Sequence, residues 1–286
     1  MGEVVVIDVS KWQGVMNWEV AKPLIHACII KAGEGVGYPD PQFANNWDGA
    51  KKAGIPRSAY FYFKPEKDGS KQLEFFLSLF PGGYDGEWIP WLDMEYRSPL
   101  TSKNQLLNSF EKFVTKWWSA TGKPIGVYTR TSWWDPNFPP GASDIPKQCP
   151  LWLAQYGVAT PTTIPREWQL AGKTWDLHQY SADGNMKGKL YGAQSNSIDL
   201  DTARTLSEFN SKFGLNCQPF PSPVLPPETF IVTAGGWANL RSTPEVTNTN
   251  DIGDLIKGTK FTSSGPKQGE WIPITGWVNE TTVKRV

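Results

Sequence analysis

Up to about residue 213 the chain alternates short apolar runs, rich in β-branched and aromatic residues, with stretches whose apolar residues recur at helical spacing. That alternation is the pattern of repeated βα units. Residues 4–9, 27–32, 58–63, 88–95, 125–129, 151–155, 175–180 and 197–200 read as strands, and eight is the number that closes a βα barrel. Residues 43–53, 70–80 and 101–121 carry helical spacing, with Thr101 or Ser102 placed as an N-cap and Gly54 and Gly122 as stops. After Thr129 the connecting segments are rich in Pro, Trp and Asp and lose helical periodicity, so the last strands are expected to follow one another with few helices. The fold class is α/β, an irregular TIM-like barrel of about eight strands.

Residues 214–227 contain five prolines and read as an extended, semi-rigid spacer. Beyond it, residues 230–234, 238–241, 260–262, 271–275, 277–278 and 283–286 are short strand runs separated by Gly, Asn, Asp and Pro. The expected plan is a barrel over 1–213, a linker over 214–227 and a small all-β barrel over 228–286. A chain of 286 residues is long enough for one large core and one small one.

Composition narrows the partners. Lys plus Arg total 28 and Asp plus Glu total 28, with no basic stripe, so the electrostatic footprint of a nucleic-acid binder is missing. Fifteen Trp, 14 Phe and 9 Tyr supply flat apolar faces that suit sugar rings as well as cores. Cys28, Cys149 and Cys217 with only two histidines are too few and scattered for a disulfide framework or a zinc cluster; neither metal nor cofactor is expected. No segment reaches the roughly 18 apolar residues of a membrane span. Met1-Gly2-Glu3 leads straight into a strand without a basic region or cleavage site, so no secretory signal is read.

Active sites of α/β barrels lie at the carboxyl ends of the strands. Val4-Val5-Val6-Ile7 ends in Asp8, Trp88-Ile89-Pro90-Trp91-Leu92 ends in Asp93-Met94-Glu95, and Ser197-Ile198 leads to Asp199. Asp93 and Glu95, two apart on a strand, face the same way with Cα atoms roughly 6.5–7 Å apart. Glycoside hydrolysis needs one carboxylic acid that keeps its proton near neutral pH and one or more ionised carboxylates. A like-charged neighbour raises the proton affinity of one partner, and Glu95, with the longer side chain, is assigned as the acid.

Other readings of the same residues stay open. An Asp-x-Glu pair is also the shape of a divalent-cation site, or of a pair salt-bridged to Lys31 and Arg97. Asp201, before Thr202-Ala203-Arg204-Thr205-Leu206, reads as a helix N-cap. His26 and His178 read as packed core residues. Tyr60 and Tyr62 alternate on one strand face, open to core packing or sugar contact. The glycine-rich 33–37 stretch lacks the ending of a phosphate loop and reads as a flexible loop at the barrel mouth.

Seven motifs in order give a family resemblance: Ile7-Asp8-Val9-Ser10-Lys11-Trp12-Gln13-Gly14, Ile29-Ile30-Lys31-Ala32-Gly33-Glu34-Gly35, Ala59-Tyr60-Phe61-Tyr62, Leu92-Asp93-Met94-Glu95, Leu151-Trp152-Leu153-Ala154-Gln155-Tyr156, His178-Gln179-Tyr180-Ser181 and Ile198-Asp199. Residues 4–213 resemble the glycoside hydrolase family 25 lysozymes of the Chalaropsis type. The resemblance implies cleavage of the β-1,4 bond between N-acetylmuramic acid and N-acetylglucosamine, with retention through the substrate's own 2-acetamido group. It implies Glu95 as proton donor, Asp93 as its partner, Asp8 and Asp199 completing the acidic cleft, and Tyr60, Tyr62, Glu34, Tyr128, Gln155 and Gln179 as substrate contacts. Two positions depart from the pattern: Phe61 stands where the family often has His, and Asp201 where it often has Asn. Both bear on subsite contacts rather than on the chemistry.

Residues from about 229, with Ala238-Asn239-Leu240-Arg241-Ser242-Thr243-Pro244, Ile256-Lys257-Gly258-Thr259 and Gly276-Trp277-Val278, resemble a bacterial Src-homology-3-type module. With six basic and six acidic residues its binding is not expected to be mainly electrostatic, and Trp237, Trp271 and Trp277 are its candidate contacts. The implied partner is bacterial peptidoglycan, met at the cell wall by a monomer. The absent leader fits a phage-type lysin or a protein in mature form. A non-catalytic wall-binding protein on a hydrolase scaffold, or a glycosidase of another polysaccharide, remains open at this level.

Overall fold

Strand β1 (Val6–Val9) pairs in parallel with β2 (Ala27–Glu34), and a short β3 (Tyr38–Pro39) folds back on β2 as a hairpin. The sheet continues through β4 (Arg57–Tyr62), β5 (Trp91–Asp93), β6 (Gly126–Thr129), β7 (Leu151–Ala154) and β8 (Leu177–Ser181), each parallel to the one before. It closes through β9 (Asp199–Thr202), antiparallel to both β8 and β1, so eight strands form the barrel and β3 hangs outside it. This computed structural model describes residues 4–138, 140–218, 229–233, 237–241, 251–257, 259–262, 271–274, 276–279 and 283–285.

Helices α1 (Trp18–Ala21), α2 (Phe43–Ala53), α3 (Gly69–Ser78) and α4 (Lys103–Thr121) cover the first half. Ser102 rather than Thr101 caps α4: its hydroxyl accepts from Gln105 N–H, and the Gln105 side chain returns the bond to the Ser102 N–H. Gly54 and Gly122 end α2 and α4 in the left-handed conformation, as their positions predict. Among the described residues the second half has two short α-helices, α5 (Thr131–Asn137) and α6 (Arg166–Leu170), before α7 (Leu206–Phe213), matching the loss of helical spacing after Thr129.

Three expectations are corrected. Residues 88–95 shrink to a three-residue strand, because Pro90 has no N–H to give the ladder. Asp201 caps nothing: it lies inside β9, and Thr205 caps α7 by accepting from Glu208 N–H. The glycine-rich 33–37 stretch is the end and turn of the β2–β3 hairpin, with Glu34 opposite Tyr38.

Strand alternation sorts the side chains into two layers. Ile7, Val9, Ile30, Ala59, Phe61, Leu92 and Leu153 face the helices, where Phe61 packs between Phe76 and Phe113. Val4, Val6, Ile29, Trp91, Trp152 and Leu177 fill the interior. Helix α7 closes its lower end, setting Phe213 edge-on to Trp88 and Trp91. Residues 214–218 stay with the barrel: Leu215 and Cys217 pack on it, and the Asn210 amide bonds both backbone groups of Cys217. No helix among the described residues is long and apolar enough to cross a membrane.

The chain divides into two compact units, Met1–Pro219 and Phe220–Val286. The second is antiparallel, with β10 (Thr229–Val232), β11 (Trp237–Arg241), β12 (Asp251–Ile256), β13 (Lys260–Thr262), β14 (Trp271–Ile274), β15 (Gly276–Asn279) and β16 (Val283–Arg285). They form one sheet ordered β13-β10-β16 and another ordered β12-β11-β15-β14. Phe230, Val232, Ala238 and Ile272 are its buried apolar residues among those described, with Phe230 stacked on Phe261 at 5.6 Å. The sequence pattern missed β12, whose two aspartates and one glycine hide its strand character. Most of the proline-rich stretch lies outside the described residues.

Candidate active site

The inward parity that fills the barrel with Val6, Ile29 and Trp91 turns polar one step further up each strand. Asp8 follows Val6 on β1, Lys31 follows Ile29 on β2, and Asp93 follows Trp91 on β5. Asp199 reaches the same mouth by a different route. It begins β9 rather than ending a strand, and arrives beside Asp8 because β9 runs antiparallel, with the two in direct register. Glu95 stands just beyond β5. Asp8, Asp93, Glu95 and Asp199 line one cleft of about 160 Å³.

Asp8 is the most constrained of the four. Its Oδ2 accepts from Gln179 Nε2 at 2.7 Å, while Gln179 Oε1 accepts the hydroxyls of Tyr128 and Tyr156 at 2.8 Å each. The carboxyls of Asp199 and Asp201 are near enough to Asp8 to bear on its proton affinity. Burial is the largest influence on the cluster. It pushes Asp8 up to about 7 against the pull of Gln179, and Asp199 up to about 9 with the Asp8 charge adding to the effect. Asp201, fully buried below them, rises well above the usual carboxylate range, although the Trp152 indole N–H donates to its Oδ1 at 2.7 Å.

Asp93 and Glu95 differ in access. Asp93 is buried, and its Oδ1 has no hydrogen-bond partner among the described residues. Burial, then the Glu95 charge, lifts it well above the usual range, with Lys31 opposing. Glu95 keeps 27% of its side chain accessible. Burial raises it too, opposed by Arg130, whose guanidinium lies 3.6 Å from Oε2, and by Lys31. The site thus holds a carboxyl whose proton affinity burial raises and which reaches solvent, beside a buried carboxyl with an open acceptor.

The candidate substrate contacts separate. Tyr60, Tyr128 and Gln179 line the cleft, Tyr60 edge-on to Trp152 at 6.2 Å. Glu34, Tyr62 and Gln155 lie outside its lining. Glu34 pairs with Lys31 at 2.9 Å and Lys64 at 3.6 Å, and both ammonium groups sit over the Tyr62 ring. Gln155 instead folds the following loop: its amide donates to the Thr162 hydroxyl and accepts from the Thr162 N–H. Lys31 and Arg97 make no ion pair with Asp93 or Glu95; Arg97 donates to Thr101 O. Phe61 turns away from the cleft into the helical layer. The histidines are core residues: His26 Nδ1 accepts from Val5 N–H at 3.1 Å, and His178 Nε2 lies 2.8 Å from Gln155 O.

Trp152, Tyr156 and Arg130 belong to the site without having been singled out. Inward parity two residues before Ala154 could have placed Trp152, and position just past the ends of β7 and β6 could have placed Tyr156 and Arg130.

A βα barrel with this acidic mouth suits glycoside hydrolysis. The chain belongs to glycosyl hydrolases family 25, whose model matches residues 7–189, stopping short of Asp199. It is 32% identical over 218 residues to Lysozyme M1 of Streptomyces globisporus, covering 72% of this chain and 71% of that one. It is 28% identical over 193 residues to the N,O-diacetylmuramidase of Chalaropsis sp, covering 62% and 90%. Among solved structures, the bacterial lysozyme from Streptomyces coelicolor superposes with a TM-score of 0.61 at 29% identity, over 73% of this chain and 95% of that chain.

Proposed function

We propose that the barrel is a muramidase that cuts the β-1,4 bond between N-acetylmuramic acid and N-acetylglucosamine in bacterial peptidoglycan. The observation that carries this reading is the contrast between solvent-reaching Glu95, whose proton affinity is raised, and buried Asp93 with its unpartnered Oδ1. Glu95 gives its proton to the bridging oxygen as the glycosidic bond breaks. Asp93 Oδ1 accepts the N–H of the 2-acetamido group, aiming its carbonyl oxygen at the anomeric carbon. The cyclic intermediate is opened by water, with Glu95 taking the proton back, and configuration is retained. Asp8 and Asp199 complete the acidic cleft, and of the two Asp8, at about 7, is the one that ionises near neutral pH.

Digestion of purified peptidoglycan by the wild type and Glu95→Gln tests this, with product ends identified by borohydride reduction and mass spectrometry. Muramic-acid reducing ends should form and fall by about 10²- to 10⁴-fold in the variant. Products with glucosamine ends, or an active Glu95→Gln, would refute it. The anomer first released, read by NMR, decides retention.

We assign the second unit as a Src-homology-3-type module that holds the enzyme on the wall and raises local substrate concentration. The two small antiparallel sheets and their compact core support the assignment. The Trp237 and Trp277 side chains lie outside the described residues; Trp271 is half-buried. Truncation after Pro227 should preserve cleavage of soluble glycan and weaken sedimentation with walls. Equal wall binding by the truncated chain would remove the targeting role.

A further inference from the structure

A second groove of about 460 Å³ adjoins the catalytic cleft, and Tyr156 and Ala182 line both. It is built at the barrel mouth from the loop after β7 and the turn after β8. Tyr156, Val158 and Tyr180 give it apolar faces, and Tyr156 is 48% exposed although its hydroxyl is tied to Gln179.

The polar end of the groove has one sign of charge. Asp183 Oδ1 accepts from the Ser181 hydroxyl at 3.0 Å and the Asn185 N–H at 2.9 Å; Oδ2 makes no hydrogen bond among the described residues. Those bonds hold the carboxyl below the usual range, so it is ionised, and its charge is felt at Asp199 in the cleft. No lysine or arginine lines the groove among the described residues. At the rim Asn185 and Met186 both hold left-handed backbone, at φ 52° and 59°, which is uncommon for one non-glycine residue and more so for two in succession.

We propose that this groove binds the amine-bearing stem peptide of peptidoglycan, with the ammonium of its diamino acid on Asp183 and the alkyl chain on Tyr156, Tyr180 and Val158. The proposal rests on the muramidase reading and deepens it. N-acetylated sugars are neutral and offer an ionised carboxylate no charge partner. In peptidoglycan the cation is on the peptide, which branches from the muramoyl ring at the bond being cut. One substrate therefore occupies cleft and groove together.

The test compares soluble, uncross-linked glycan–peptide strands carrying free diamino-acid amines with the same strands after N-acetylation. For the wild type at low salt, kcat/KM should be about two- to fivefold higher on the free-amine strands, the scale of an exposed ion pair. The preference should shrink as salt rises and vanish in Asp183→Asn, which keeps the Oδ1 acceptor of the turn. Equal wild-type rates on both strands overturn the proposal without needing any variant. A preference that survives in Asp183→Asn overturns it too. Failure of the wild type to cut either strand is a separate result: it removes the muramidase reading and this proposal with it.

Discussion

Gln179 Nε2 donates to Asp8 Oδ2 at 2.7 Å, and the same amide's oxygen is locked by two tyrosine hydroxyls. An amide held at both ends cannot flip, so Asp8 always meets a donor rather than an acceptor. That bond is the main influence holding the Asp8 proton affinity down against burial. Gln179→Leu should therefore raise Asp8 above its value of about 7 and let its carboxyl rotate. A hydrogen bond to a charged group contributes about 1.5–3 kcal/mol, so kcat/KM should drop roughly 10- to 100-fold with the fold retained by circular dichroism. A variant with wild-type kcat/KM would show that Asp8 orientation does not matter to turnover.

Arg130 supplies the largest opposing influence on Glu95. If Glu95 is the general acid, activity is present while it is protonated and is lost as pH rises through its raised pKa. Removing the guanidinium in Arg130→Ala takes away a cation that favours the ionised form, so Glu95 holds its proton to higher pH. The basic limb of the kcat/KM profile should move to higher pH. A basic limb that stays in place or moves down would mean another group controls it.

The legible part of this molecule was whatever strand alternation and strand ends write into the chain. Asp8 and Asp93 were found because each is the first polar residue after an apolar inward run. Asp199 was found by the same rule applied with the wrong strand direction; nothing local distinguishes an antiparallel closing strand from a parallel one. Asp201 was misread because Asp followed by Thr and a helical run is also an N-cap signature, and only the Trp152 indole across the barrel shows its role. Gln155 and Gln179 look alike as strand-end amides. Whether such an amide turns to a neighbouring loop or to a carboxylate depends on partners 7 and 171 residues away in the chain.

The raised proton affinities of the carboxyls around Asp8 also set how stability varies with pH. Asp8, Asp199 and Asp201 all have folded values above the ordinary carboxylate range, so between about pH 4 and their raised values the folded protein binds more protons than the unfolded one. Their contribution is complete below the unfolded values and is lost as pH rises through about 7 for Asp8 and about 9 for Asp199. The melting temperature should be several degrees lower at pH 9 than at pH 5, since about 1 kcal/mol shifts a domain of this size by roughly 2–4 °C. Asp201→Asn replaces a buried acid by a neutral group that still offers an oxygen to Trp152, and should flatten this slope. An unchanged slope would place the alkaline loss of stability elsewhere in the chain.

The start of α3 is pressed against α4 at Gly69, where a Cβ would lie 1.8 Å from Ser109 O and 2.9 Å from Phe113 N. Both are backbone atoms, so no rotamer change relieves the clash. The two helices are further tied there by the Ser109 hydroxyl on Lys67 O and by Lys112 on Asp68 at 3.0 Å. Two effects of Gly69→Ala oppose one another. Helix propensity favours alanine by about 1 kcal/mol in a helix interior and by less at this first-turn position. Overpacking against fixed backbone typically costs about 1–3 kcal/mol and more where nothing can move. The clash should win, leaving the variant destabilised by about 1–3 kcal/mol in urea unfolding followed by tryptophan fluorescence. A variant as stable as the wild type would mean that α3 slides off α4 freely, and that the close approach at Gly69 adds little to the packing of the helical layer.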